Sequence, residues 1–334
     1  MKKVTKKIVV LMLCVVTAFG TIACTGNNKK DNEVSIAYFD NITHGQALVM
    51  KHNKSLEKLL GNDKKVNWVA FNAGPAEVEA CFSGDIDIGY IGPVPAATAN
   101  IKSQGDFVII SGASNGGAML IARKEANIKS VKDLSGKKVS VPQLGNTQHL
   151  LLLDLMKKNS LSTVSEGGDV DVIEAQNADV ANLINSGDVD AALVPEPWGT
   201  TILKNAEAEI VLDYDEIQDG KDYSTAVIIV NKEYMEEHED VVKQFLKAHM
   251  EATEYILDNP EDAGKIMNSQ LDKDTGKTLD SDIIEQAIKR IDYKYEIPSE
   301  SIINYSELCV EQGFINKKLT ESAMDSKLLD EMKK

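Results

Sequence analysis

The chain has 334 residues, with 36 lysines and arginines against 52 aspartates and glutamates, and a formal net charge of −16. So acidic a surface is a poor partner for nucleic acid, and this length holds enough core for one large domain or two ordinary ones. No C-x-x-C or H-E-x-x-H spacing occurs, so neither a structural nor a catalytic zinc motif is visible.

Lys2, Lys3, Lys6 and Lys7 precede an apolar run, Ile8 to Ala23, that ends in small residues at a cysteine. The run is shorter than the ~20 residues that span a bilayer, and this order predicts a signal peptide over 1–23. Thr21-Ile22-Ala23-Cys24 resembles the lipobox of bacterial lipoproteins, although threonine stands where leucine is usual. The resemblance implies that Cys24 is lipidated (palmitate among the acyl chains) and becomes the mature N-terminus, anchoring an exported protein to the outer face of the cell membrane. Two acyl chains anchor stably where one is marginal, and the polar residues 24–33 then read as a tether. Without the signal, 32 basic residues face 52 acidic ones, a net charge of −20. Cys14 leaves with the signal, which leaves Cys81 and Cys309; two cysteines do not reveal whether they pair, and buried free thiols are the default.

From Val34 the pattern alternates strand and helix. Strands are predicted at Val34–Tyr38, Val66–Phe71, Ile86–Ile91 and Phe107–Ser111, with helices from His44 to Leu60, Pro75–Phe82 and Pro95–Ser103 between them. The stretch Ser83 to Pro95, SGDIDIGYIGPVP, returns 103 residues later as SGDVDAALVPEPW, Ser186 to Trp198. The same offset carries the first strand onto Lys137–Val141, the run from His44 onto the run from Thr147, and Val66–Phe71 onto Asp169–Glu174. One such match is ordinary helix-stop chemistry, but a common offset through five elements predicts two similarly built lobes. The fold class is therefore α/β, two-lobed, each lobe a mostly parallel sheet flanked by helices. Lobe 1 takes 34–117 and 226–334, and lobe 2 takes 118–225. Two apolar runs, Ala118–Arg123 and Thr225–Val230, are expected to be the hinge crossings. Helices at Glu239–Leu257, Ser281–Ile291 and Pro298–Gln312 should pack back onto lobe 1.

In open parallel sheets, ligands lie beyond the carboxyl ends of the strands. There the chain places Asp40–Gly45, Asn72–Pro75, Gly92–Pro95 and Ser111–Gly117 in one lobe, and Pro142–His149 and Pro195–Trp198 in the other. Each loop alone is explained by caps and turns. As facing sets that run into helices, they offer free N–H groups and positive dipole ends suited to an oxyanion, with no arginine among them. His44 and His149 read as donors or helix-start residues; with no third ligand at clear spacing they make a weak metal case. Trp198 is expected to wall the pocket. Glu196 either meets a cationic group or is a solvated loop carboxylate, and the sequence leaves both open.

At YFDNITHGQALV, SGDIDIGYIGPVPAA, GDFVIISGASNGGA, SVKDLSGKKVSVPQLGNTQHL, DAALVPEPWGT and VVKQFLKAHMEATEYI, the chain resembles the solute-binding lipoproteins of ABC importers in the nitrate/taurine/aliphatic-sulfonate family. That resemblance implies a periplasmic-binding-protein clamshell (type II) that closes on a small anionic solute and hands it to a permease, acting as a monomer, with no cofactor and no chemistry. An aliphatic sulfonate or taurine-like compound is the first expectation, with nitrate or a pyrimidine-type precursor as alternatives. The expected contacts are Asn41, Thr43, His44, Asn72, Gly92, Ser114 and Asn115 from lobe 1, and Asn146, Thr147, His149, Glu196 and Trp198 from lobe 2. The rival class is an enzyme on the same fold with His44 or His149 as acid/base; the cysteine-rich motif of pyrimidine-synthesising relatives is absent.

Overall fold

The computed structural model describes residues 32–62, 64–218 and 222–333. The expectations for the signal peptide and for lipidation at Cys24 lie outside the described residues. Glu33, expected to end the tether, already pairs with Lys65 as the start of β1 (Glu33–Phe39).

Lobe 1 continues with α1 (Gly45–Asn53), α2 (Ser55–Leu60), β2 (Lys65–Phe71), α3 (Gly74–Phe82), β3 (Ile88–Ile91), α4 (Pro93–Lys102) and β4 (Phe107–Gly116). Lys54, at φ 51°, breaks the expected single helix into α1 and α2. The chain then crosses into β5 (Ala118–Arg123), β6 (Lys138–Val141), α5 (Thr147–Lys158), β7 (Asp171–Glu174), α6 (Val180–Ser186), β8 (Ala191–Pro195), α7 (Trp198–Asn205) and β9 (Ala208–Leu212). It returns through β10 (Ser224–Asn231), α8 (Lys232–Glu237), α9 (Glu239–Asp258), α10 (Pro260–Thr275), α11 (Ser281–Ile288), β11 (Ile291–Tyr293), α12 (Ser299–Glu311) and α13 (Lys327–Met332).

Two sheets result, in the orders β11-β4-β10-β3-β1-β2 and β7-β6-β8-β5-β9. In each, a parallel trio is extended by a strand that has crossed from the other lobe and runs antiparallel: β10 beside β3, β5 beside β8. The repeated S-G-D-x-D has the same physical role in both. Gly84 and Gly187 each sit at φ +79°, a left-handed turn that glycine adopts without strain. The serine Oγ donates to the first aspartate at 2.6 Å in both copies. The second aspartate accepts a backbone N–H from the lobe's first strand, Ser35 to Asp87 at 2.8 Å and Lys138 to Asp190 at 3.0 Å. Each copy thus pins the start of its third strand to the first.

The apolar runs expected as hinges are instead buried strands, β5 and β10, inside the two sheets. β-branched residues gain more from sheet burial than from a flexible link. The first crossing is Gly116-Gly117, both with positive φ, and the second lies between β9 and β10. They touch where Tyr223 Oη accepts from Ala118 N at 3.1 Å. The loop expected over Ser111–Gly117 is the second half of β4, paired with β10 and β11. Its small residues let another backbone approach: Gly112 N donates to Tyr295 O at 3.1 Å. One apolar cluster joins Ala37, Val78 and Val94 to Leu120, Val139 and Leu150 of the other lobe, with Ile302 and Tyr305 of α12. Cys81 and Cys309 are both buried, and no disulfide joins them.

Candidate functional site

The lobes meet over a cavity of about 20 Å³, room for roughly one water. Lobe 1 contributes Phe39, Asn41, Thr43 and His44 after β1, Asn72, Ala73 and Gly74 after β2, Gly92 and Pro95 after β3, and Thr225 of β10. Lobe 2 contributes Pro142, Asn146, Thr147 and Gln148 after β6, Asn177 after β7, and Pro195 of β8. His44, Ala73, Gly92 and Asn146 are the N-cap residues of α1, α3, α4 and α5, so four helices start at the cavity wall. Each N-terminus favours negative charge by about 0.3–1 kcal/mol.

His44 is buried, and its Nδ1 accepts from Phe39 N at 3.1 Å while the ring stacks on Phe39. Burial holds its pKa down to about 3, so the ring is neutral and its proton sits on Nε2, a donor. Thr43 Oγ donates to Asn41 Oδ1, leaving the Asn41 NH₂ as a donor. Asn146 accepts from His149 N at 2.8 Å, capping α5. Thr147, 2% exposed, has a hydroxyl with no hydrogen-bond partner among the described residues. It lies against Gly92 across the cleft, where any Cβ would overlap the Thr147 hydroxyl. No lining residue carries a charge at neutral pH.

Seven of the expected contacts therefore come together: Asn41, Thr43, His44, Asn72, Gly92, Asn146 and Thr147. Five are placed elsewhere. Ser114 Oγ donates to Thr43 O at 2.7 Å, and Asn115 Nδ2 to Asp222 O at 3.3 Å. His149 stacks on Phe314, with Nδ1 accepting from Gly145 N, and burial lowers its pKa to about 4. Trp198 is packed in the lobe 2 core, and its indole N–H donates to Asp40 O of lobe 1 at 3.2 Å.

Glu196 is neither solvated nor at the cavity. It is fully buried, accepting from Thr200 N at 2.9 Å and Thr200 Oγ at 2.7 Å, with Arg290 of lobe 1 at 3.4 Å. Arg290 also grips Asp213 at 2.9 Å and 3.3 Å. Burial outweighs these bonds and pushes the Glu196 carboxyl up to about 6. The Glu196 backbone closes the joint, donating to Gly117 O at 2.8 Å and accepting from Ile42 N at 3.2 Å. At the cleft, Asn72 Nδ2 donates to Pro142 O at 2.9 Å, and its Oδ1 accepts from Asn177 N at 3.3 Å. Asn177 was absent from the expected set, yet its signal was available: it lies 103 residues after Gly74, in the loop after β7.

The family model described as NMT1/THI5 like matches residues 107–263, from β4 into α10. The taurine-binding periplasmic protein of Escherichia coli K12 is 28% identical over 59% of this chain, and the match spans 59% of that protein's length. A putative aliphatic sulfonates-binding protein of Bacillus subtilis 168 is 24% identical over 96% of this chain and 91% of its own. The alkanesulfonate-binding protein SsuA from Xanthomonas axonopodis pv. citri, solved bound to MOPS, superposes with a TM-score of 0.74 at 20% identity, covering 89% of this chain and 99% of that one. The desulfurization enzyme DSZB shares the fold at a TM-score of 0.65 and 13% identity, over 90% of this chain and 98% of that one. With the same two-lobed architecture and one relative aligned across nearly its whole length, the chain is similar to the NMT1/THI5-like proteins over residues 107–263 and shares the fold of the sulfonate-binding proteins.

Proposed function

We propose that the chain is the extracytoplasmic solute-binding component of an ABC import system, capturing a small anionic solute by lobe closure and presenting the closed form to a membrane permease. The observation that carries this reading is the cavity itself: four helix N-termini, a neutral His44 donor and the unpartnered Thr147 hydroxyl converge from two lobes with no cation among them. Such a wall holds an oxyanion by hydrogen bonds and dipoles. Its chemistry suits the oxyanion head of an aliphatic sulfonate or taurine-like compound, for which the lobes would have to part from the arrangement seen, and two relatives bear those names. In this reading 34–117 with 226–334 moves as one lobe against 118–225, Cys24 carries the lipid anchor, and the protein acts as a monomer. Nitrate is the second reading, favoured by a closed cavity of only about 20 Å³.

The enzyme alternative needs a base near neutral pKa. Burial keeps His44 and His149 far below that, and the Nδ1 of each already accepts a backbone N–H. Calorimetry with alkanesulfonates, taurine, nitrate, sulfate and pyrimidine precursors tests the proposal. A micromolar Kd for one anion, recovered chemically unchanged after long incubation, is expected; no binding below millimolar concentration, or a product, refutes it.

A further inference from the structure

A second cavity, of about 310 Å³, shares Asn41, Asn72 and Asn177 with the first, but its chemistry is reversed. Its other walls include Asp40, Phe71 and Trp198, and among the described residues no lysine, arginine or histidine lines it. Asp40 Oδ1 and Asn177 Oδ1 are buried acceptors without a hydrogen-bond partner, and Asn177 is only 6% exposed. Lys51, the cation nearest in charge effect to Asp40, has its Nζ bonded to Asp274 Oδ1 at 2.6 Å and Tyr38 Oη at 2.5 Å. Trp198 has its N–H on the Asp40 carbonyl, which fixes the indole as a wall.

Where the first cavity is walled by donors, the residues around this one include a carboxylate, amides and two aromatic rings. Those are the complements of an ammonium group, which brings N–H donors and a positive charge that aromatic faces attract. We propose that this cavity is an ammonium-binding site, filled either by the amino end of the captured solute or by a separate small amine. For the first source the proposal rests on the binding function above. Burial, then Asp274, pushes the Asp40 carboxyl up to about 6 against the pull of Lys51 and Tyr38, a shift that a cation at Oδ1 would reverse.

Calorimetry on the mature protein with taurine, 1-propanesulfonate and 1-propylamine separates the sources, because the sulfonate probe replaces ammonium by methyl. If the solute's own amine is bound, taurine should bind at least tenfold tighter than 1-propanesulfonate. Asp40→Asn should erase that difference while leaving 1-propanesulfonate affinity within about twofold. If a separate amine is bound, 1-propylamine should bind the wild type and fail to bind Asp40→Asn. Asn177→Ala, which keeps the Asp40 charge, should weaken the same ammonium-dependent binding severalfold and serves should Asp40→Asn misfold. Wild-type protein that ignores 1-propylamine and does not prefer taurine to 1-propanesulfonate overturns the site, as does a preference that survives both substitutions. If no sulfonate binds at all, the sulfonate reading falls while the nitrate reading stands or falls by its own titration, and the 1-propylamine arm alone decides this one.

Discussion

Thr147→Val removes one hydroxyl and keeps nearly the same shape, which makes it a sharp probe of the cavity. In the closed form this hydroxyl is buried with no partner, a condition that costs about 1–3 kcal/mol. Valine relieves part of that cost, so without solute the closed form should gain about 1 kcal/mol. With solute bound, the wild-type hydroxyl donates to a charged acceptor, a bond worth about 1.5–3 kcal/mol, so the variant should bind tenfold to a hundredfold more weakly. Closure and affinity should therefore move in opposite directions. Trp198 is the reporter of choice for closure, because its indole N–H bonds Asp40 O of the other lobe. In a Trp68→Phe background, the emission of the free variant should shift toward that of solute-saturated parent, while calorimetry shows the weaker Kd. A purely structural hydroxyl would move both readouts the same way, and that result, or an unchanged Kd, would refute the assignment.

Gly92→Ala places a Cβ on the Thr147 hydroxyl; overpacking of about 1–3 kcal/mol should weaken solute binding fivefold or more in calorimetry. Arg290→Gln strands the buried Glu196 carboxylate and should lower stability by about 3 kcal/mol in urea titration, with Glu196→Gln recovering some of the loss. Glu77 is fully buried with both oxygens unpartnered, and burial raises its pKa well above 4.5. The folded state holds that proton while the unfolded chain sheds it, so the stability it confers is full below about pH 4.5 and is lost as pH rises. Glu77→Gln should therefore melt higher than wild type at pH 8, with the gap closing toward pH 4; a lower melting temperature at pH 8 would reveal an ionised, partnered carboxylate. Cys24→Ala should move the protein from the membrane to the soluble fraction with solute affinity unchanged, and a variant that stays membrane-bound removes the lipid anchor.

The architecture was legible because one offset runs through it, and the offset has a physical cause. Ser, Gly and two aspartates at fixed spacing stop a helix, turn the chain through a left-handed glycine and tie the next strand to the lobe's first strand. A device that does three jobs keeps its residue types, so it shows in a single sequence. The crossings were less legible, since an apolar β-branched run looks the same whether it spans two lobes or lies inside a sheet. What marks the first crossing is Gly116-Gly117, where both residues have positive φ and a side chain on Gly117 would meet Ile291 Cγ1 at 2.9 Å.

For the site, the loops were legible and the direction of their side chains was not, and the two histidines show why. The offset of 103 carries His44 onto Thr147, and both line the cavity; His149 lies two residues further along α5. Successive residues on an α-helix turn by about 100°, so two residues turn by about 200°. A side chain two positions beyond one that faces the cleft must face away from it, and His149 accordingly stacks on Phe314. Matching residue types between the lobes pairs His44 with His149, whereas matching positions pairs it with Thr147. Since a helix fixes direction by position, position is the sounder guide, and the same rule applied to Gly74 leads to Asn177, which lines both cavities.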